Sequence, residues 1–272
     1  MMKIKRLLTA LQRRLSRLTD WRLVRWNRLA SHQQRWYLRR FLKWQPIDLV
    51  LDVGGNAGQF AQLVRAAGYQ GWIISFEPLP DMAAQLRRLA EADGRWQVVE
   101  KALGEQPGRA SLQVTSTSPM SSLLEPVQDP SSAMAQFSEV RRRLDVELIT
   151  LDDFLREDPR AQAAQSIYLK LDVQGFEMPV LNGARRSLGK VAAIQAELGV
   201  ATVYHGQTQY RELLAWLHEA GYVPSLFTAH DYELFPEMID FDAHFVRADI
   251  LAASLQARQA QRAAAGLRQL DA

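Results

Sequence analysis

The stretch Leu49–Phe60, LVLDVGGNAGQF, constrains this chain more than any other. Leu49, Val50, Leu51 and Val53 make an apolar run suited to a strand covered on both faces. Gly54, Gly55 and Gly58 follow, and glycine permits a tight turn and a close approach of ligand to backbone. Residues 58–67 then read as a helix ending near Gly68, and a helix start offers free N–H groups and the positive end of its dipole. Strand, glycine turn and helix in this order predict an open α/β sheet, which binds ligands at the C-terminal ends of its strands. Asp52 stands at such an end, where it orients the loop or accepts a ligand's hydrogen bond.

Two nucleotide motifs fail on these residues. The nicotinamide fingerprint GxGxxG finds only Gly54, Asn56 and Gly58, and the P-loop needs a Lys that does not follow. The spacing Asp-x-Gly-x-x-x-Gly on Asp52, Gly54 and Gly58 looks like the first motif of class I S-adenosylmethionine methyltransferases. A structural βα turn in some other α/β protein is the alternative.

Further strands follow in register with that reading. Trp72–Phe76 is a second strand that closes on Glu77-Pro78, and a carboxylate there lies where a ribose presents its hydroxyls. A helix from Pro80 to about Glu91 turns Met82, Leu86 and Leu89 inward, and Trp96–Val99 is a third strand that Lys101–Gly104 continues into a turn. Residues 109–114 and 146–150 alternate as a small antiparallel excursion. The segment Thr115–Ser132 between them has little periodicity and is too long for an ordinary connection, which predicts a substrate lid or a disordered insert. Thr150 caps a short helix at Asp152. Ile167–Asp172 is the fourth strand, and from Glu177 a helix is expected through Val180, Leu181, Ala184 and Leu188. Val191–Leu198 is the fifth strand, with Glu197 an acid in an apolar run. Tyr204 and His205 lie in a loop, Tyr210–Ala220 is a helix, and Tyr222–Phe227 and Ala243–Val246 complete seven strands before a helical tail from Asp249.

Charge divides the chain. Residues 1–45 hold thirteen Lys or Arg against one acid, Asp20, whereas the remainder holds twenty basic and twenty-nine acidic residues. The formal net charge of +3 conceals this split. Ile4, Leu7, Leu8, Leu11, Leu15 and Leu18 recur at helical spacing, and Trp21, Trp26, Trp36 and Trp44 lie in the same segment. A helical cap on the main domain and a membrane-surface or glycolipid contact both fit, and they are compatible. Nucleic acid is the less favoured partner, because the body is acidic and no familiar nucleic-acid motif is present. No apolar run reaches the ~20 residues of a membrane span. A cytoplasmic location, peripheral at the inner membrane face, is the expectation. The absence of Cys excludes disulfides, thiolate metal sites and a Cys nucleophile.

DVGGNAGQF, SFEPLP, ITLDDFL, IYLKLDVQGFEMPVLNGA, the segment Glu197–Tyr210 and DAHFV together resemble the FkbM family of methyltransferases. The resemblance runs from about Ile47 to Arg247, and Gly55 replaces the usual Ala of the family's turn. It implies a class I, Rossmann-like, seven-stranded mostly parallel sheet with helices on both faces. Residues 46–248 would form this domain, with 1–45 as a basic helical extension and 249–272 as a helical tail. It also implies S-adenosylmethionine-dependent O-methylation of a hydroxyl on a sugar, glycan, glycolipid or related metabolite. Asp52, Gly54, Asn56 and Gly58 would hold the methionine half of the cofactor, Glu77 its ribose, with Ala102 near the adenine and Asp172 facing the methyl group.

A sugar hydroxyl is a poor nucleophile at neutral pH, so a base or a metal ion assists. Asp172, Glu177, Glu197 and His205 are the candidate bases. Asp172 and Glu197, with Glu177, are alternatively oxygen ligands for Mg²⁺. A nicotinamide-dependent oxidoreductase and a non-catalytic membrane-associated binding module are the competing readings.

Overall fold

The computed structural model describes residues 29–116, 118–129, 138–229 and 236–264. The Leu and Ile stripe of residues 4–18 lies outside the described residues, as does the end of the Thr115–Ser132 segment.

The chain begins with α1 (Leu29–Trp44), then alternates β1 (Leu49–Val53), α2 (Gln59–Ala67), β2 (Trp72–Phe76), α3 (Pro80–Asp93) and β3 (Trp96–Val99). A three-stranded excursion follows, made of β4 (Ala102–Leu103), β5 (Gly108–Thr115) and β6 (Val140–Ile149). Then come α4 (Leu151–Glu157), α5 (Pro159–Ala163), β7 (Ile167–Leu171), α6 (Glu177–Asn182), β8 (Val191–Gly199) and α7 (Tyr210–Glu219). The antiparallel strands β9 (Tyr222–Ala229) and β10 (Asp240–Arg247) and the helix α8 (Ala248–Ala264) finish the fold.

The main sheet has the order β3-β2-β1-β7-β8-β10-β9. Its first five strands are parallel, and β10 runs antiparallel between β8 and β9. This is the expected seven-stranded, mostly parallel sheet. Alternation along each buried strand sends residues to opposite faces. Leu49, Leu51 and Val53 of β1 join the cluster under α4, α5, α6 and α7, through Leu155, Ala161, Val180 and Leu213. Val50 faces the other way with Ile73 and Tyr168, covered by Tyr37, Leu38 and Phe41 of α1, Phe60 and Val64 of α2, and Leu86 of α3. Both faces are thus dry, which is why β1 and β7 show no polar alternation.

Two expectations are corrected. Lys101–Gly104 does not extend β3; Ala102 and Leu103 pair in parallel with Leu148 and Ile149 of β6, in the small sheet β4-β6-β5. The helix from Glu177 stops at Asn182 instead of running to Leu188. Gly183 is its C-cap, with its N–H donating to the Pro179 carbonyl at 3.1 Å, and only glycine fits there because a Cβ would lie 2.1 Å from the Gly104 carbonyl oxygen.

The Thr115–Ser132 segment is anchored through its described part. Ser122 bridges to Gln113 of β5, Pro126 bridges to Tyr204, and the Val127 N–H donates to the Val203 carbonyl at 2.8 Å. It forms a wall beside the Tyr204 loop.

Candidate active site

Strand order reverses between β1 and β7, since β2 and β3 extend to one side and β8 to the other. The crevice at their C-terminal ends is where such sheets take ligands. The turn after β1 is fixed from both sides. The Gly54 and Gly55 N–H groups both donate to the Phe76 carbonyl at 3.0 Å, and the Asn56 N–H donates to Glu77 Oε2 at 2.7 Å. Gly54 and Gly58 have φ of +77° and +83°, a region costly for side chains. The space beside them is filled by protein. A Cβ on Gly54 would lie 1.8 Å from the Asp172 carbonyl oxygen, and one on Gly58 would lie 2.9 Å from the Trp96 ring. The two glycines therefore let β1 approach β7 and the turn approach Trp96, a packing reason the sequence did not disclose.

Glu77 is buried, and its second oxygen accepts from the Leu79 N–H at 2.9 Å. Burial raises its pKa to about 6, against the pull of those two N–H groups and of Lys170. The carboxylate thus ties the β1 turn to the exit of β2. Ala102 lies further along the same edge, packed with Leu79 and Leu148.

Below the turn runs a buried polar chain. Trp96 Nε1 donates to Ser75 Oγ at 2.9 Å, and Ser75 donates to Asp52 Oδ2 at 2.9 Å. Asp52 is fully buried, so it orients its surroundings and presents no surface to a ligand. Its Oδ1 faces Lys170 Nζ at 3.4 Å, and Nζ stands 3.1 Å from Asp172 Oδ2 and donates to the Gly54 carbonyl at 2.9 Å. Burial alone would push Lys170 down, but Asp172 and Asp52 outweigh it and hold the ammonium charged, with its pKa raised. The sequence reading missed Lys170. Its signal was a lone cation inside the apolar strand Ile167–Leu171, directly opposite Asp52 in register.

On the acceptor side Gln174 links two of the predicted acids. Its Nε2 donates to Asp172 Oδ1 at 3.0 Å and to Glu197 Oε2 at 2.7 Å. Tyr204 Oη lies 3.0 Å from Gln174 Oε1 and 2.9 Å from the Met120 carbonyl. Gln174 has a φ of +55°, and Ser122 Oγ donates to its carbonyl at 2.7 Å. A non-glycine residue so held marks a constrained site. Glu197 borders a cavity with Met120, Gln174, Tyr204 and Asp240. Its pKa is raised well above the carboxylate range by burial, then by the carboxylates of Asp172, Asp240, Asp242 and Glu177.

Glu177 plays a different part. It is buried, and its Oε1 accepts from the Val173 and Gly175 N–H groups at 3.3 and 3.1 Å, clasping the turn that carries Gln174. Burial raises its pKa to about 7. His205 is exposed and is not among the cavity-lining residues; its backbone N–H donates to the Glu125 carbonyl. Asp172, Glu177 and Glu197 do not form a three-ligand group for a cation, and no such group exists among the described residues. An amide occupies the position between Asp172 and Glu197.

Comparison with known proteins identifies the family. The Methyltransferase FkbM domain matches residues 52–224, more than half of the chain. A 2-O-methyltransferase, NoeI, of Sinorhizobium fredii is 27% identical over 62% of this chain and 71% of its own length. Methyltransferase 1 of Beauveria bassiana is 28% identical over 50% of this chain and 58% of its own length. Among solved structures, magnesium protoporphyrin IX methyltransferase from Synechocystis PCC 6803 with bound SAM superposes at a TM-score of 0.44. It is 11% identical, covering 83% of this chain and 85% of that one. With its domain matched over the glycine turn and the acidic strand ends, this chain belongs to the FkbM methyltransferase family and is an S-adenosylmethionine-dependent methyltransferase.

Proposed function

We propose that the chain methylates a hydroxyl oxygen of a sugar, glycan, glycolipid or related metabolite. The observation that carries this reading is the row Asp172–Gln174–Glu197 beside a cavity, with Glu197 raised in pKa. The name of one relative, a 2-O-methyltransferase, supports oxygen as the acceptor atom.

The residues fit the cofactor. S-adenosylmethionine supplies an electrophilic methyl carbon on a sulfonium. Its hydroxylated ribose and ammonium call for acceptors, and Glu77 at the end of β2 and the part-exposed Asp172 at the end of β7 can serve as such. Gly54, Asn56 and Gly58 shape the turn on which the methionine half would rest, and Asp52 acts through Lys170 to hold that turn to β7. Ala102 belongs to the apolar wall suited to the adenine.

Glu197 is the base of this reading. Its carboxyl borders the cavity, where a positioned base can take the acceptor's proton. Gln174 aims Glu197 and Asp172 by one amide group, and Tyr204 fixes the amide's orientation. Mg²⁺ held by Asp172 and Glu197, with Glu177, is the alternative to a base, and removing the metal tests it.

The test is methyl transfer from S-adenosylmethionine to a panel of saccharides and glycolipids. Glu197→Gln should lower kcat by roughly 10²–10⁴-fold with cofactor affinity unchanged. Transfer that survives both this substitution and EDTA would remove Glu197 as base and the metal alternative together.

A further inference from the structure

Helix α1 buries Tyr37, Leu38 and Phe41 and leaves a face of one chemistry outside. Trp36 is 55% exposed, and Arg39, Arg40 and Lys43 are exposed beside it at helical spacing. The Arg40 guanidinium lies 5.2 Å from the Trp36 ring centroid. No Asp or Glu occurs in the helix.

The helix also has a direction. At its end, Gln45 Nε2 donates to Ser166 Oγ just before β7 begins, at the N-terminal edge of the parallel strands. Near its start, the Gln34 side chain donates to Asp242, which stands opposite Glu197 in the β8–β10 register. The chain therefore enters the fold at the catalytic edge. The 28 residues before that entry hold nine Lys or Arg and one acid, with Trp21, Trp26 and six Leu or Ile at helical spacing.

We propose that the outward face of α1 and the residues before it dock the enzyme on an anionic lipid surface, with the catalytic edge beside that surface. Charge favours one orientation. The remainder of the chain carries twenty-nine acids against twenty bases, so an anionic membrane repels the body and attracts only this head. The exposed Trp is the second component, because an indole sits well at the interface of lipid and water while Arg and Lys keep their heads in water. Among the described residues no helix is long and apolar enough to cross a membrane. The inference rests on α1 and on the charge of the chain, and it stands whatever the acceptor is.

Sedimentation of the full chain with vesicles tests it. One vesicle set is pure phosphatidylcholine, and the other contains a third phosphatidylglycerol. Each basic residue near an anionic surface is worth roughly fivefold in partition. The variant Arg39→Glu, Arg40→Glu, Lys43→Glu should bind the anionic vesicles about a hundredfold more weakly or worse. Its S-adenosylmethionine affinity and thermal midpoint should match the parent. A second full-length variant, Arg13→Glu, Arg14→Glu, Arg17→Glu, should weaken binding by a similar factor. Binding should fade as salt rises. No binding, or equal binding to neutral and anionic vesicles, overturns the proposal. Equal vesicle binding by the α1 variant removes α1 from it. RNA that binds the parent with higher affinity than the vesicles do, and is lost in the same variants, replaces the lipid surface with nucleic acid.

Discussion

Replacing Glu177 by glutamine separates a structural acid from a catalytic one. The Glu177 carboxyl has its pKa raised from 4.5 to about 7 by burial. An acid shifted upward favours the folded state when protonated. That favourable term is fully present below the ordinary value and is lost as pH rises through about 7. Ionising it inside the fold costs on the order of 3 kcal/mol at pH 8 and under about 1 kcal/mol at pH 5. Glutamine is never charged, yet its carbonyl oxygen still accepts from the Val173 and Gly175 N–H groups that Oε1 now serves. Relative to the parent, Glu177→Gln should therefore gain about 2 kcal/mol on going from pH 5 to pH 8. Urea titrations at both pH values read this difference, and comparison with the parent cancels other titrating groups such as His244, which burial depresses to about 4. Transfer activity should stay within about tenfold, since the clasp on the Gln174 turn survives. An identical stability difference at both pH values would refute the burial argument. Loss of activity on the scale expected for Glu197→Gln would make Glu177 a catalytic group after all.

Two further substitutions address the buried polar chain and the glycine turn. Lys170→Met leaves Asp52 buried without its cation and should cost roughly 3–5 kcal/mol in urea unfolding. Adding Asp52→Asn should recover part of that loss. A Lys170→Met protein as stable as the parent would show that the pair contributes nothing. Gly54→Ala drives a Cβ into the Asp172 carbonyl at a positive φ, which should cost on the order of 3 kcal/mol or more and abolish cofactor binding. Calorimetric titration of a soluble, folded Gly54→Ala protein with normal affinity would contradict that geometry.

Long buried strands and the glycine turn were legible because their signals are local. Leu49–Val53, Trp72–Phe76 and Trp96–Val99 stand where apolar runs and flanking Gly or Pro put them. Ala102–Leu103 was not legible as a strand, because two residues carry no period and their partners lie more than forty positions later in β6. The early stop at Asn182, with Gly183 as C-cap, was not legible because the apolar spacing of Val180, Leu181, Ala184 and Leu188 continues past it. The acids at strand ends were visible as residue types, but their roles were not. Asp52, Glu77 and Glu177 differ mainly in burial and in which N–H groups they accept from. Gln174, which joins Asp172 to Glu197, and Lys170, which joins Asp52 to Asp172, looked like ordinary members of a turn and a strand. His205 was visible as a residue type suited to acid–base work, but the loop leaves it exposed and outside the cavity lining.

The account turns on where the cofactor sits. Calorimetric titration of the full chain with S-adenosylmethionine and S-adenosylhomocysteine, beside a Glu77→Ala variant, tests this most directly. Glu77 ties the β1 turn to the exit of β2 through the Asn56 and Leu79 N–H groups, and under the proposed function its remaining lone pairs would serve the cofactor's ribose. The account predicts micromolar binding of both compounds by the parent and its loss in a Glu77→Ala protein that remains folded by circular dichroism. Undiminished binding in the variant, or no heat with either compound, would contradict it.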